Sequence, residues 1–396
     1  MAGRRRGSRS AVAALCLLLV SLVGCGGRPA TDGARAEVQR LLDARAAAVL
    51  GHDEPAYRAT GTPAGFDHVK AVPFSAWSYR VTAVHPSGDT ASADAELRYS
   101  VRGYDRAPVT AARVLGLALD AGGRWRVTSD RPAKKAGQQL WDQGAVSVVR
   151  GAHSLVLGTG QSGERLRSFA ELADRAVPAV SQAWGADWSG HVVVLVPKSL
   201  EGMAGLLASP ASSYRGIAAV TTGETGGPAR APADRIIVNP DAYGVLGSLG
   251  RQVVLTHETT HVATRAHTDA ATPLWLSEGY ADWVGYRGSG RSASMVAPEL
   301  AGAVADGRVP AALPADKDFG FTGDSTRLAQ AYEGGWLACR LIADRWGEVR
   351  LGEFYRAVGA HRARAGAVED AMKKVLGTTS EKFTAQWRDA LRAQFG

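Results

Sequence analysis

Within His257-Glu-Thr-Thr-His261 two imidazoles stand four residues apart, with a carboxylate next to the first. On a helix such a pair shares one face and its side chains diverge by only about 40°, so both rings can reach a single cation. Glu258, one position on, is angled to reach a water held by that cation without binding the cation itself. The surrounding segment, residues 249–265, carries Val253, Val254, Thr256 and Thr260 and reads as a buried helix, where imidazoles must find partners. Two satisfied structural histidines are the plain alternative. A third ligand separates the two readings, because a catalytic zinc takes three protein ligands and keeps one position open.

Two residues could complete the set. His267 falls where the metzincin pattern HExxHxxGxxH puts its third histidine, and Ser294-Met295 faintly resembles that group's Met-turn. The pattern needs glycine where this chain has Thr264, since the backbone must leave the helix with positive φ, which a β-branched residue resists. If the helix continues, His267 lies about 240° around the axis from His261 and points away. Glu278 is the second candidate. Pro273 opens another apolar helix, with Trp275, Leu276, Tyr280, Ala281, Trp283 and Val284 interrupted by Glu278 and Asp282. Buried acids need partners, and a metal supplies one. Four apart on one face, Glu278 can bind the cation while Asp282 accepts a hydrogen bond from the distal nitrogen of a ligating histidine.

These residues carry a resemblance. His257-Glu-Thr-Thr-His261 followed by Trp275-Leu-Ser-Glu-Gly-Tyr-Ala-Asp-Trp283 resembles the gluzincin metallopeptidases, and closely the peptidase MA-like group with its HExxH and WLxEGxA motifs. The resemblance covers residues 140–396, is strong at the two motifs and thin elsewhere, and has a shorter interval between motifs than thermolysin-like and M1-aminopeptidase-like relatives. It implies His257, His261 and Glu278 as Zn2+ ligands and Glu258 as general base. Asp282 matches the acid that some gluzincins place four residues after the ligating glutamate. Tyr332, in Ala331-Tyr-Glu-Gly-Gly-Trp-Leu337, resembles the tyrosine these peptidases present from a later helix as oxyanion donor, and Gly334 and Gly335 would allow close backbone approach there. Tyr280 and Tyr286 are the substitutes.

The chain ahead of this site decides where it works. Residues 1–24 read as a signal peptide: Arg4, Arg5, Arg6 and Arg9 precede an apolar run over 11–23 that is too short to span a bilayer. Leu22-Val23-Gly24-Cys25 resembles the lipobox of bacterial lipoproteins, which implies diacylation of Cys25 and a place on the outer face of the cytoplasmic membrane. An ordinary cleaved signal is the alternative. With Cys16 removed and Cys25 acylated, Cys339 has no disulfide partner. The formal charge of +8 falls to +4 without the four signal arginines, and basic residues are dispersed among acids, which speaks against nucleic acid as a partner.

The elements expected to position the site make an α+β protein. After a tether at 25–34, residues 35–130 hold a helix at 35–50 and strands at 77–84, 93–101, 114–119 and 124–127, an architecture similar to the NTF2-like or cystatin-like group and suited to a spacer or protein-interaction module. A linker at 131–139 leads to a zincin-like domain over 140–396. There, strands at 154–157, 191–196 and 235–238, a helix at 164–184 and a loop at 223–232 precede the metal helices. The 235–238 strand is expected at a sheet edge, where an extended peptide could add. Helices at 336–346, 351–361, 368–376 and 380–395 would form a C-terminal lobe. The functional expectation is a membrane-anchored zinc metallopeptidase acting on peptide or protein. An inactive zincin-like binding module is the alternative, and an amidase of cell-wall peptide would share the same site.

Overall fold

A computed structural model describes residues 29–223, 231–320 and 324–396. The signal segment, Cys25 and most of the 223–232 loop lie outside the described residues. The expected α+β architecture is the one found.

The N-terminal part comprises α1 (Pro29–Leu50), the short helices α2 (Glu54–Arg58) and α3 (Phe66–Val69), and an antiparallel sheet of β1 (Phe74–Ser87), β2 (Thr90–Val101), β3 (Val109–Leu119) and β4 (Trp125–Pro132) in that order. α1 begins inside the stretch read as a tether. Along β2, Ala91, Ala93, Ala95, Leu97 and Tyr99 are buried, the period-two pattern that gives a sheet one apolar face. Val38, Leu42, Ala46 and Val49, at helical spacing on α1, join that face in one core.

The middle part runs through β5 (Val146–Arg150), β6 (Ser154–Thr159), α4 (Gly163–Trp184), β7 (Val192–Val196), α5 (Leu200–Leu206), β8 (Ala219–Thr221), β9 (Arg235–Val238), α6 (Pro240–Gly244) and α7 (Ser248–Thr264). Its sheet is ordered β5-β6-β7-β9-β8, with β6, β7 and β9 parallel and the two outer strands antiparallel. The central strands are covered on both faces. Leu155, Leu157 and Val193 enter the N-terminal core, while Val156, Val194, Ile236 and Val238 pack with Phe169, Val177 and Leu255 of α4 and α7. Two-sided burial is why these strands read as unbroken apolar runs. One expectation is overturned: β9 lies between β7 and β8, and the edge beside α7 is β8. Three residues are too few to show a period, so sequence patterning passes over such a strand.

The C-terminal lobe consists of α8 (Leu274–Tyr286), α9 (Ala293–Val296), α10 (Pro298–Ala305), α11 (Ser325–Trp346), α12 (Glu348–Gly359), α13 (Ala367–Ala371) and α14 (Ser380–Phe395). Trp275, Tyr280, Phe354, Tyr355, Phe383 and Trp387 form its core. α11 starts well before residue 336, so Tyr332 stands inside the helix.

The N-terminal and middle parts are joined by more than a linker. Within residues 131–139, the Gln138 amide donates to Gly205 O and the Gln139 amide to Asp142. Buried Arg113 of β3 donates to Asp130 and, through two nitrogens, to both oxygens of Asp142 at 2.8 Å. In the β2–β3 connection, the fully buried Asp105 carboxylate receives Arg235 Nη2 at 2.9 and 2.8 Å and the Ala233 amide at 3.0 Å. Removing one member of such a pair strands the other without its counter-charge. Asp105→Ala is therefore expected to lower stability by about 3–5 kcal/mol, measured by urea unfolding; an unshifted midpoint would mean that Arg235 reaches water instead.

Candidate metal centre

α8 lies between α7 and α11, and glycine sits at both crossings. At the α7 side, a methyl on Gly285 would fall 3.2 Å from Val253 Cγ1 and 3.3 Å from its carbonyl oxygen. At the α11 side, a methyl on Gly279 would overlap the Gly335 carbonyl, and one on Gly335 would lie 2.7 Å from Trp275 O. At the α11 crossing only residues without a side chain let the backbones meet this closely, whereas at Gly285 the Val253 side would have to give by a few tenths of an ångström. Pro273, extended at φ −70° and ψ 149°, precedes the first turn of α8 and so sets where Glu278 falls along it. On α11, Glu333 accepts the Glu299 and Leu300 amides at the start of α10, tying that helix to α11 next to Tyr332.

Two imidazoles and a carboxylate converge as a result. His257 Nε2 lies 3.0 Å from His261 Nε2 and 3.3 Å from Glu278 Oε2, and His261 Nε2 lies 3.4 Å from the same oxygen. Ligand atoms of a tetrahedral zinc are about 3.3–3.4 Å apart, so this triangle has close to the edges that such an ion requires. His257 Nδ1 is 2.8 Å from Asp282 Oδ1. Donation of the Nδ1 proton to that carboxylate turns Nε2 toward the centre, the orientation from which that nitrogen could bind a cation. Among the described residues no other group of histidine, cysteine or acidic side chains converges in this way.

The electrostatics point the same way. Burial alone would push His257 down, but Asp282, Glu278 and Glu258 carry it well above the usual imidazole value. Burial would raise Glu278, yet the two histidines hold it well below the usual carboxylate range. The acids around His257 favour positive charge on its ring.

Glu258, one residue along α7, is 7% exposed. Its Oε2 accepts a hydrogen bond of 2.7 Å from Thr221 Oγ1, at the end of β8. Tyr332 is half-buried against Phe319, at 5.2 Å between ring centroids. Burial, and then the nearby Glu278, Asp282 and Glu258, drive its hydroxyl far above the usual phenol value, so it remains a donor. Tyr286 packs on Trp336, and burial and Asp282 raise its hydroxyl too. Tyr280 is unsuitable: fully buried, it donates to Ala183 O on α4, so its ring faces away from the site.

His267 also stands apart. Its ring meets Trp184 edge-on and its Nε2 lies 3.1 Å from Asp187. Thr264 keeps right-handed dihedrals, φ −83° and ψ −9°, so the chain makes no reversal toward the cluster of His257, His261 and Glu278. Met295 is 59% exposed, as a surface residue rather than a floor beneath the cluster. Thr221 is the site residue that sequence reasoning missed, because its strand is too short for a periodic signal and a threonine carries none by itself.

No protein-family model matches the chain, and no curated protein does. Among solved structures it is similar to yeast LTA4 hydrolase, with 14% identity and a TM-score of 0.38 over 71% of this chain and 44% of that one. It therefore spans less than half the length of the yeast enzyme. It is also similar to an M1 zinc metallopeptidase from Deinococcus radiodurans, with 13% identity and a TM-score of 0.36 over 79% of this chain and 92% of that one. At scores this low neither likeness bears on what the cluster does.

The glycine crossing gives a direct test of how the cluster is held. Gly279→Ala must push α8 from α11, and is expected to cost about 1–3 kcal/mol, as overpacking does, and to weaken zinc binding through displacement of Glu278. Calorimetric titration with zinc that gave wild-type affinity for this variant would show that the crossing does not set the ligand geometry.

Proposed function

We propose that this chain is a zinc-dependent peptidase, held on the outer face of the cytoplasmic membrane by a lipid on Cys25. The reading is carried by the triangle of His257, His261 and Glu278 with Glu258 beside it. Membrane attachment rests on the motif at residues 22–25; among the described residues no helix is long and apolar enough to cross a membrane. The substrate is a peptide or protein, and the small dispersed charge of the mature chain argues against nucleic acid.

Two imidazoles and one carboxylate suit zinc, and would leave a fourth position open. When bound, zinc supplies Lewis acidity that polarises a carbonyl and makes water nucleophilic near pH 7. The protein's residues do the rest. Asp282 keeps His257 oriented and in the tautomer that ligates through Nε2. Glu258 has one oxygen engaged by Thr221 and the other available to take a proton from the attacking water and return it to the leaving amine. The protonated Tyr332 hydroxyl is the donor for negative charge developing on the carbonyl oxygen. The outer side of β8, the edge strand beside Glu258, offers backbone groups to an extended peptide.

The deciding experiment uses soluble protein lacking residues 1–25, with zinc content and hydrolysis of a peptide library measured together. Glu258→Gln is expected to keep its zinc and lose at least about 100-fold in turnover. Glu278→Ala should lose the metal and His267→Ala should keep it. Zinc retained at wild-type level by Glu278→Ala would remove the ligand assignment, and a fully zinc-loaded wild type that hydrolyses nothing would hand the site to a binding role.

A further inference from the structure

The carboxylate of Glu258 is oriented from outside its own helix. Thr221 Oγ1 lies 2.7 Å from Glu258 Oε2 and 3.1 Å from the Glu258 main-chain oxygen. A hydroxyl has one proton, and a carboxylate is the stronger acceptor, so the side-chain contact takes it. Among the described residues Thr221 is the only hydrogen-bond donor to this carboxylate. A nearly buried glutamate with one such partner has its rotation set by that partner. A β-branched residue on a strand is also stiff at χ1, which gives the hydroxyl a fixed direction.

The strand bearing Thr221 is itself held from a distance. Thr221 pairs with Ile236. The Thr222 amide donates to Arg235 O, the Arg235 amide donates to Thr222 Oγ1, and the Arg235 guanidinium is fixed by Asp105 of the N-terminal part. An unbroken run of contacts therefore leads from the N-terminal sheet through the β8–β9 hairpin to the base.

Building on the peptidase reading, we propose that Thr221 is a positioning residue for Glu258: its hydroxyl pins Oε2 so that Oε1 faces the reacting water and the leaving group. Because β8 is also the edge to which a peptide would add, one strand registers the substrate backbone and the base against each other. The N-terminal part thereby gains a role beyond that of a spacer, as the anchor of this strand.

Thr221→Val removes the hydroxyl at nearly constant shape and keeps a strand-favouring residue, whereas Thr221→Ser keeps the hydroxyl. With zinc content and KM unchanged, Thr221→Val is expected to lose about 10–100-fold in kcat, the scale of a misplaced catalytic group, and Thr221→Ser to recover to within about 3-fold of wild type. Crystal structures of the metal-free wild type and Thr221→Val proteins supply a readout independent of turnover. In the wild type Glu258 Oε2 should lie against Thr221, and in the variant the carboxylate should leave that orientation. The proposal is overturned if the variant keeps the wild-type kcat, if it loses zinc in parallel with activity, or if its Glu258 has not moved. A wild type that cleaves no peptide would remove the peptidase reading, and the crystal comparison would still decide whether Thr221 orients the carboxylate.

Discussion

Two imidazoles and a carboxylate held 3.0–3.4 Å apart, each largely buried, favour positive charge at their centre. The groups shift one another: the acids raise His257 and the histidines lower Glu278. Such a concentration of ionisable groups gives little to stability and is maintained only where the surrounding structure enforces it. The enforcement here comes from helix packing. α8 is pressed against α7 at Gly285 and against α11 at Gly279 and Gly335, so Glu278 and Asp282 are delivered to the histidine face.

The two faces of the middle sheet divide the supporting work. One packs α4 and α7, fixing the helix that carries both histidines. The other closes the core of the N-terminal part, which is why β6 and β7 are apolar on both sides. Buried charge reinforces the second contact through Arg113 with Asp142 and Arg235 with Asp105. Since Arg235 lies on β9 and β9 holds β8, the N-terminal sheet reaches by packing and hydrogen bonds to the strand that touches Glu258. A domain that looks like a spacer when read alone is therefore part of the frame around the site.

The tyrosines show how burial selects among chemically equivalent side chains. Tyr280 and Tyr286 lie on α8, and Tyr332 lies on α11, which packs against it. Tyr280 is turned into the lobe core with its hydroxyl on Ala183 O, and Tyr286 leans on Trp336. Tyr332 rests on Phe319, and burial, followed by Glu278, Asp282 and Glu258, raises its hydroxyl.

What the sequence determined was whatever lies within one element. Helical periodicity alone places His257 with His261, and Glu278 with Asp282, on common faces. It also turns His267 away once Thr264 is seen to replace the required glycine. Strand alternation and apolar runs similarly mark β1 to β4, β6, β7 and β9. Relations between elements were decided by tertiary structure: that β8 is the edge and β9 is covered, that Thr221 meets Glu258, that Tyr280 faces inward, and that the N-terminal sheet clamps Arg235. The physical reason is that rise and rotation per residue fix neighbours along a chain, whereas contacts across it depend on the summed packing of distant side chains, which no local spacing encodes.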